Sequence, residues 1–203
     1  MTDIEAALKH FEKVDPVLYR AAKKHHHTLS QNTKKLSRDQ LFASLCESVV
    51  SQQLSVKASD TIWGRLKIIC KGKVTPVSIT ATSLPRLKKA GLSGAKAKTL
   101  KELAKAVKKG LDLPALKSKS PEEATEALTT VWGVGPWTSE MFLMFGLGHP
   151  DIFSPRDLGL VRSMETLYGL KQNLPLHKLE AIALCWSPYR TIACRILWRS
   201  RDS

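Results

Sequence analysis

Two separated segments carry residue types that could do chemistry, and the first is a glycine-rich turn. Residues 122–145 contain Gly133-Val134-Gly135-Pro136 between two stretches with helical periodicity, which predicts a helix, a tight hairpin and a second helix. The amides of such a hairpin and the first N–H groups of the following helix form a positive cup suited to a phosphate. An ordinary turn between two helices is the alternative interpretation.

The second segment, residues 149–160, contains a single aspartate close behind a proline. Ser154 and Pro155 have the pattern of a helix start, which would place Asp157 at the third helical position. A carboxylate there has a structural use, because it pairs with the amides and the dipole of a helix N-terminus. The same position keeps it ionised, as stabilising a cation would require. Asp151, in the preceding loop, is expected to be a turn or capping carboxylate.

The elements that position these segments are predicted to be helical almost throughout. Apolar residues recur at spacings of three and four along 3–14, 38–50, 56–70 and 95–109, which indicates amphipathic helices. Hydroxyl–proline pairs predict helix starts at Thr75, Ser120, Ser154 and Ser187. No sustained period-two alternation is present, so the sequence predicts an all-α domain of about ten short helices.

Charge is the main anomaly of the composition. The chain has 203 residues with 32 Lys+Arg and 18 Asp+Glu, a net charge of +14, which indicates a polyanionic partner. A membrane surface is the poorer choice, because the lysines are spread over several helices without a basic amphipathic anchor. The N-terminus lacks the pattern of a signal peptide, and none of the four cysteines has zinc or thioredoxin spacing. We therefore expect an intracellular protein, in the cytoplasm and nucleoid or in a nucleus.

Four motifs together resemble the helix-hairpin-helix (HhH-GPD) DNA glycosylases, and within them the AlkA-type alkylpurine branch, the 3-methyladenine DNA glycosylases. In chain order they are Ser51-Gln52-Gln53-Leu54-Ser55, the hairpin with Trp137-Thr138, Asp151-Ile152-Phe153 with Pro155 and Asp157, and Trp186 with Pro188-Tyr189-Arg190. The resemblance implies about ten helices in two lobes around a cleft. It also implies a single domain over residues 1–203, with the helix-hairpin-helix motif at about 122–145.

The resemblance implies an enzyme that flips a damaged nucleotide out of double-stranded DNA and hydrolyses its N-glycosidic bond. It assigns the catalytic carboxylate to Asp157, beside an oxocarbenium-like transition state. Aromatic rings that could stack on a cationic base are Trp137, Trp186 and Tyr189; packing in the core is the alternative for them. The DNA-contacting residues would be Gln52, Gln53, Leu54, Gly133, Val134, Gly135 and Thr138. Gln53 or Leu54 would fill the gap left by the flipped base, unless these residues form only a polar turn.

The expected substrates are alkylated purines such as 3-methyladenine and 7-methylguanine, whose positive charge makes them good leaving groups. Lyase relatives place a lysine just after the hairpin, where this chain has Trp137 and Thr138. We therefore predict a monofunctional enzyme without lyase activity. We also expect a monomer that binds no cofactor, metal ion or iron–sulfur cluster and does not associate with a membrane. A glycosylase for another base lesion and a non-catalytic DNA-binding module remain the alternatives.

Overall fold

The computed structural model describes residues 3–29 and 36–201, so both ends of the predicted domain 1–203 lie outside the described residues. Twelve α-helices and no β-strand occur in these two ranges, which confirms the all-α prediction with two helices more than expected. They are α1 (Asp3–Val14), α2 (Pro16–His25), α3 (Arg38–Ser51), α4 (Val56–Ile69), α5 (Pro76–Ala81), α6 (Leu84–Lys89), α7 (Gly94–Lys108), α8 (Pro121–Thr129), α9 (Pro136–Met141), α10 (Leu158–Tyr168), α11 (Leu176–Leu184) and α12 (Arg190–Arg201).

The chain forms two compact units. The first, here called the carboxylate unit, joins Met1–Thr33 to Gly148–Ser203 and contains α1, α2 and α10 to α12. The second, the hairpin unit, is Lys34–Leu147 and contains α3 to α9. Each unit holds one of the two segments that the sequence singled out.

In the carboxylate unit, α12 packs against both α2 and α10. Leu18, Leu160, Met164 and Ile196 are fully buried in its core, and each such side chain contributes about 1.5–3 kcal/mol by leaving water. This core therefore holds α10, which Asp157 directly precedes, against α12.

In the hairpin unit, the predicted helix starts are confirmed at two hydroxyl–proline pairs. Thr75 and Ser120 cap α5 and α8, and each forms a reciprocal capping box with the third helical residue. Helix α7 buries Leu100, Leu103 and Ala104 on the side that the periodicity predicted. Helix α9 follows the hairpin directly and continues as a π-helical turn, Phe142–Gly146.

The predictions of helix starts at Ser154 and Ser187 are wrong. Helix α10 begins at Leu158 because Ser154 forms a turn, with its carbonyl accepting from the Asp157 amide at 3.1 Å, and Asp157 itself is the N-cap residue. The Ser187 hydroxyl donates to Asp151 at 2.8 Å instead of capping a helix. Asp157 therefore lies one residue before the helix, not at its third position.

No helix in the described ranges has both the length and the apolar character that crossing a membrane requires.

Candidate functional site

Asp157 is held at the N-terminus of α10 by two hydrogen bonds to one oxygen. Its Oδ1 accepts from the Leu160 amide at 2.8 Å and from the Trp198 indole Nε1 at 2.9 Å. The side chain is half-buried, so the carboxylate is oriented from within the protein while part of the residue stays accessible.

Trp198, whose indole donates to Asp157 from another helix, was not predicted from the sequence. It belongs to α12, 41 residues further along the chain, and is half-buried. No motif marks it, and its one sequence signal is its place in the apolar run Ile196-Leu197-Trp198.

Gly159 keeps space around this carboxylate. A Cβ atom at this position would lie 3.0 Å from Asp157 Oδ1, 3.2 Å from Arg201 Nη1 and 3.3 Å from Trp198 Cδ1. The absent side chain allows a carboxylate, a guanidinium group and an indole edge to approach one point of the backbone. Arg201, also missed from sequence, thus brings a positive charge close to Asp157.

A second aspartate of the carboxylate unit also accepts from an indole, but inside the core. Asp15 caps α2 through the amides of Val17 and Leu18. Its Oδ2 accepts from Trp186 Nε1 at 2.7 Å and from the Tyr168 hydroxyl at 2.6 Å. Burial, followed by these interactions with Asp15, raises the pKa of Tyr168 well above its usual value.

This network decides how Trp186 is placed. Its ring has no exposed surface, packs edge-on against Phe153 at 5.8 Å, and donates its N–H to Asp15. In this structure the ring is therefore inaccessible to a base, which favours the packing role over the base-pocket role. Tyr189 is half-buried, and its ring lies 5.5 Å from that of His10.

Asp151 is a capping carboxylate, as the sequence analysis expected. Its oxygens accept from the Arg190 amide at 3.2 Å and from Arg190 Nε at 2.7 Å, at the first residue of α12. Partial burial alone would raise the pKa of Asp151, but hydrogen bonds from Arg190 and Ser187 and the charge of Arg190 outweigh it and hold the pKa below its usual value. Asp151 thus anchors the helix that carries Trp198.

In the hairpin unit, Gly133 has a positive φ, whereas Gly135 does not. Gly133 has φ +83°, and a Cβ there would overlap the Thr99 hydroxyl of α7. Gly135 is extended, with φ −103° and ψ 177°, and is the N-cap residue of α9. Val134 between them is buried. Only the first glycine is therefore required by backbone conformation and close approach.

Gln52 joins the hairpin to the other predicted DNA-contacting segment. Its side-chain Nε2 donates to the Gly133 carbonyl at 3.2 Å and to Thr138 Oγ1 at 2.8 Å. The structure thus brings together three predicted contact residues. In the chain, Gln52 lies 81 positions from Gly133 and 86 positions from Thr138.

Gln53 and Leu54 form the exposed part of loop 52–54, the turn between α3 and α4. Gln53 adopts a left-handed backbone conformation with φ +54°, which is uncommon for a residue other than glycine, asparagine or aspartate. Leu54 is 39% exposed and presents a large apolar side chain from a short polar turn. Either side chain is available to a ligand, whereas that of Gln52 is already engaged.

The aromatic residues of the hairpin differ in their surroundings. Trp137 is half-buried at the second position of α9. Trp132, directly before Gly133, is 48% exposed, and the Lys98 ammonium lies 4.2 Å from its ring centroid. Such a cation–π contact places a positive charge at the side of the hairpin, which the sequence analysis did not predict.

No group of three histidine, cysteine or acidic side chains that could hold a metal ion is found within residues 3–29 and 36–201.

Comparison with known proteins identifies the family. A model described as HhH-GPD superfamily base excision DNA repair protein matches residues 46–188, a match that ends before Trp198. DNA-3-methyladenine glycosylase 1 of Schizosaccharomyces pombe is 31% identical over 82% of this chain and 75% of the relative. DNA-3-methyladenine glycosylase of Saccharomyces cerevisiae is 28% identical over 95% of this chain and 78% of the relative.

Solved structures agree with this assignment. The S. pombe 3-methyladenine DNA glycosylase (Mag1) in complex with abasic DNA has a TM-score of 0.85 at 28% identity, covering 98% of this chain and 97% of the other. DNA-3-methyladenine glycosidase from Bacillus halodurans has a TM-score of 0.78 at 30% identity, covering 100% and 90%.

The all-α fold with its hairpin and capped aspartate is thus that of a helix-hairpin-helix DNA glycosylase. The chain belongs to the HhH-GPD superfamily of base excision DNA repair proteins, which confirms the predicted resemblance to the AlkA type.

Proposed function

We propose that this protein is a monofunctional DNA glycosylase that flips alkylated purines, such as 3-methyladenine and 7-methylguanine, out of double-stranded DNA and releases them by hydrolysis. The observation that carries the proposal is the half-buried Asp157 carboxylate, fixed by the Leu160 amide and the Trp198 indole. The names of the S. pombe and S. cerevisiae relatives support this choice of substrate.

In the proposed reaction, the N-glycosidic bond breaks and its electron pair leaves with the purine. A base that carries a positive charge from alkylation departs as a neutral molecule, so it needs little help from an acid. The ionised Asp157 stabilises the oxocarbenium-like sugar and orients a water molecule toward C1′. The water oxygen bonds to C1′, and its proton passes to the carboxylate or to solvent.

Stacking supplies the proposed preference for alkylated bases. An electron-poor cationic purine stacks well on an electron-rich ring, with about 1–3 kcal/mol per stacked base. Trp137 and Tyr189 keep part of their surface accessible and are the proposed rings. Trp186 was predicted for the same role, but its position in the core makes it the least suited of the three.

The proposed DNA contacts are made by the hairpin unit. The hairpin glycines Gly133 and Gly135, with Thr138 in α9, would bind phosphate through backbone amides without reading sequence. The buried Val134, whose amide donates to the Val131 carbonyl at 3.0 Å, would contribute by holding the hairpin in shape. Gln53 or Leu54 would fill the gap that the flipped nucleotide leaves, and Gln52 would hold their loop against the hairpin. The net charge of +14 supports salt-dependent binding to any duplex. The proposal includes a monomeric enzyme, one domain over residues 1–203, acting where cellular DNA is found.

The test is a base-release assay with methylated duplex DNA, in which chromatography identifies the released bases. We expect 3-methyladenine and 7-methylguanine, and no protein–DNA adduct after borohydride treatment, since Trp137 and Thr138 offer no amine at the position of the lyase lysine. An adduct would refute monofunctional chemistry. DNA binding without release of any methylated base would favour another lesion or a non-catalytic module.

A further inference from the structure

We infer that Lys96 is a positioning residue that holds loop 52–54 in the conformation needed to insert a side chain into DNA. This inference rests on the proposed function, in which Gln53 or Leu54 fills the gap left by a flipped nucleotide. It concerns a residue of α7 that the sequence pattern places among the lysines of an outer, solvated helix face.

The Lys96 ammonium reaches the end of a different helix. Its Nζ donates to the Val50 carbonyl at 2.8 Å and to the Gln52 carbonyl at 2.6 Å. These carbonyls belong to the last turn of α3 and to its C-cap residue. The side chain is half-buried, unlike those of Lys98, Lys105 and Lys108 on the same helix, which are exposed.

The position of this charge has a clear electrostatic cause. The last carbonyls of a helix lack intrahelical donors and carry the negative end of the helix dipole, so a lysine ammonium there makes strong, charge-assisted bonds. Burial lowers the pKa of Lys96. The protein therefore uses a partly desolvated ammonium to fix the carbonyl that directly precedes Gln53.

Loop 52–54 is thus held through both the backbone carbonyl and the side chain of Gln52. Lys96 holds the Gln52 carbonyl, while the Gln52 side chain donates to the Gly133 carbonyl and to Thr138. Beyond the loop, the Ser55 hydroxyl caps α4 by accepting from the Ala58 amide. Between these anchors stand the two exposed side chains.

Such anchoring matters for insertion because an ordered side chain loses less freedom when it enters DNA. A loosened loop would still let the protein bind the duplex, since the proposed phosphate contacts lie in the hairpin. It would, however, lower the fraction of complexes in which the nucleotide is flipped. Lys96 should therefore affect the single-turnover rate of base release more than the affinity for DNA.

The test compares Lys96→Met with Lys96→Arg and with Lys108→Met, which removes the same charge from an exposed position of α7. Single-turnover release of 7-methylguanine is measured beside affinity for a duplex that holds an abasic-site analogue opposite 2-aminopurine. The 2-aminopurine fluorescence reports the local disturbance that insertion causes. Urea unfolding establishes that each variant is folded.

We expect Lys96→Met to lower the release rate at least about tenfold, the equivalent of losing one charge-assisted hydrogen bond, and to reduce the fluorescence change. Its affinity for the duplex should stay within about threefold, as for one lost surface charge. Lys96→Arg should recover most of the rate, and Lys108→Met should match wild type in both readouts. If Lys96→Met does not fold, Lys96→Gln takes its place in the comparison. We then expect the release rate of Lys96→Gln to lie below that of Lys96→Arg.

A folded Lys96→Met protein with the release rate and fluorescence change of wild type would overturn the inference. Equal losses in Lys96→Met and Lys108→Met would also overturn it, because net charge would then explain both. Failure of the proposed function looks different: wild type would release no base, while the fluorescence experiment would still report whether Lys96 controls insertion.

Discussion

The carboxylate unit contains two aspartates with the same local design, and they differ in burial. Asp15 and Asp157 each precede a helix, accept from amides of its first turn, and accept from a tryptophan Nε1. Asp15 is only 6% exposed and also accepts from the Tyr168 hydroxyl, whereas Asp157 is half-buried. One carboxylate is enclosed by its partners, and the other stays accessible.

This difference separates a structural carboxylate from a candidate catalyst. A carboxylate whose oxygens are taken up by buried donors stabilises the fold but cannot approach a sugar. A partly accessible carboxylate that the protein orients can do so, because its orientation is set before the substrate arrives. We therefore expect changes at the Asp15 site to affect stability, and changes at the Asp157 site to affect the rate of base release.

The largest stability effect is expected for Asp15→Ala. The change leaves the buried Trp186 indole N–H and the Tyr168 hydroxyl without their acceptor and removes the cap of α2. We expect the free energy of unfolding to fall by about 3 kcal/mol in urea titrations. The control is Asp112→Ala, since the exposed pair of Asp112 with Arg38 should contribute less than about 1 kcal/mol. Equal losses in the two variants would contradict the comparison.

A smaller and pH-dependent effect is expected for Asp151→Asn. The lowered pKa of Asp151 means that its ionised form stabilises the folded state. That stability is present above the usual aspartate pKa of 3.8 and is lost as the pH falls through the lower folded value. At pH 7 the variant should lose about 2 kcal/mol of unfolding free energy. Urea titrations down to acidic pH should show the difference shrinking, and a difference independent of pH would contradict this role.

The smallest effect, but the most selective one, is expected for the two tryptophans. Trp198→Phe removes the donor to Asp157 and should slow base release about tenfold, or about 1.4 kcal/mol, with little change in stability. Trp186→Phe removes the donor to Asp15 and should lower the unfolding free energy while the folded enzyme keeps its rate. Single-turnover assays and urea titrations on both variants measure this contrast. Both variants losing rate equally would mean that the two sites do not differ in function.

Sequence periodicity predicted the helices well, because amphipathic spacing and local capping are short-range properties. The predicted bounds of α1 agree with the structure, and the caps at Thr75 and Ser120 lie where expected. At Ser187 the prediction failed, since the cap of α12 comes from Asp151, 39 residues earlier. Long-range partners of this kind leave no local pattern.

The candidate site was only partly predictable for the same reason. Asp157 and the hairpin have recognisable motifs, and the family match covers them. The partners that orient them do not: Trp198 reaches Asp157 from another helix, and Lys96 reaches loop 52–54 from α7. Sequence could not show that Trp186 is buried while Trp198 lies at the carboxylate, because both are tryptophans followed within a few residues by basic side chains.

The most direct test is single-turnover release of 7-methylguanine from methylated duplex DNA by Asp157→Asn. The amide keeps an oxygen that can accept from Leu160 and Trp198, so the fold should be preserved, but the negative charge beside C1′ is lost. We predict a release rate at least about 10³-fold below wild type, with affinity for the duplex within about threefold. A folded variant that releases the base within about tenfold of the wild-type rate, an energetic difference of 1.4 kcal/mol or less, would contradict Asp157 as the catalytic carboxylate.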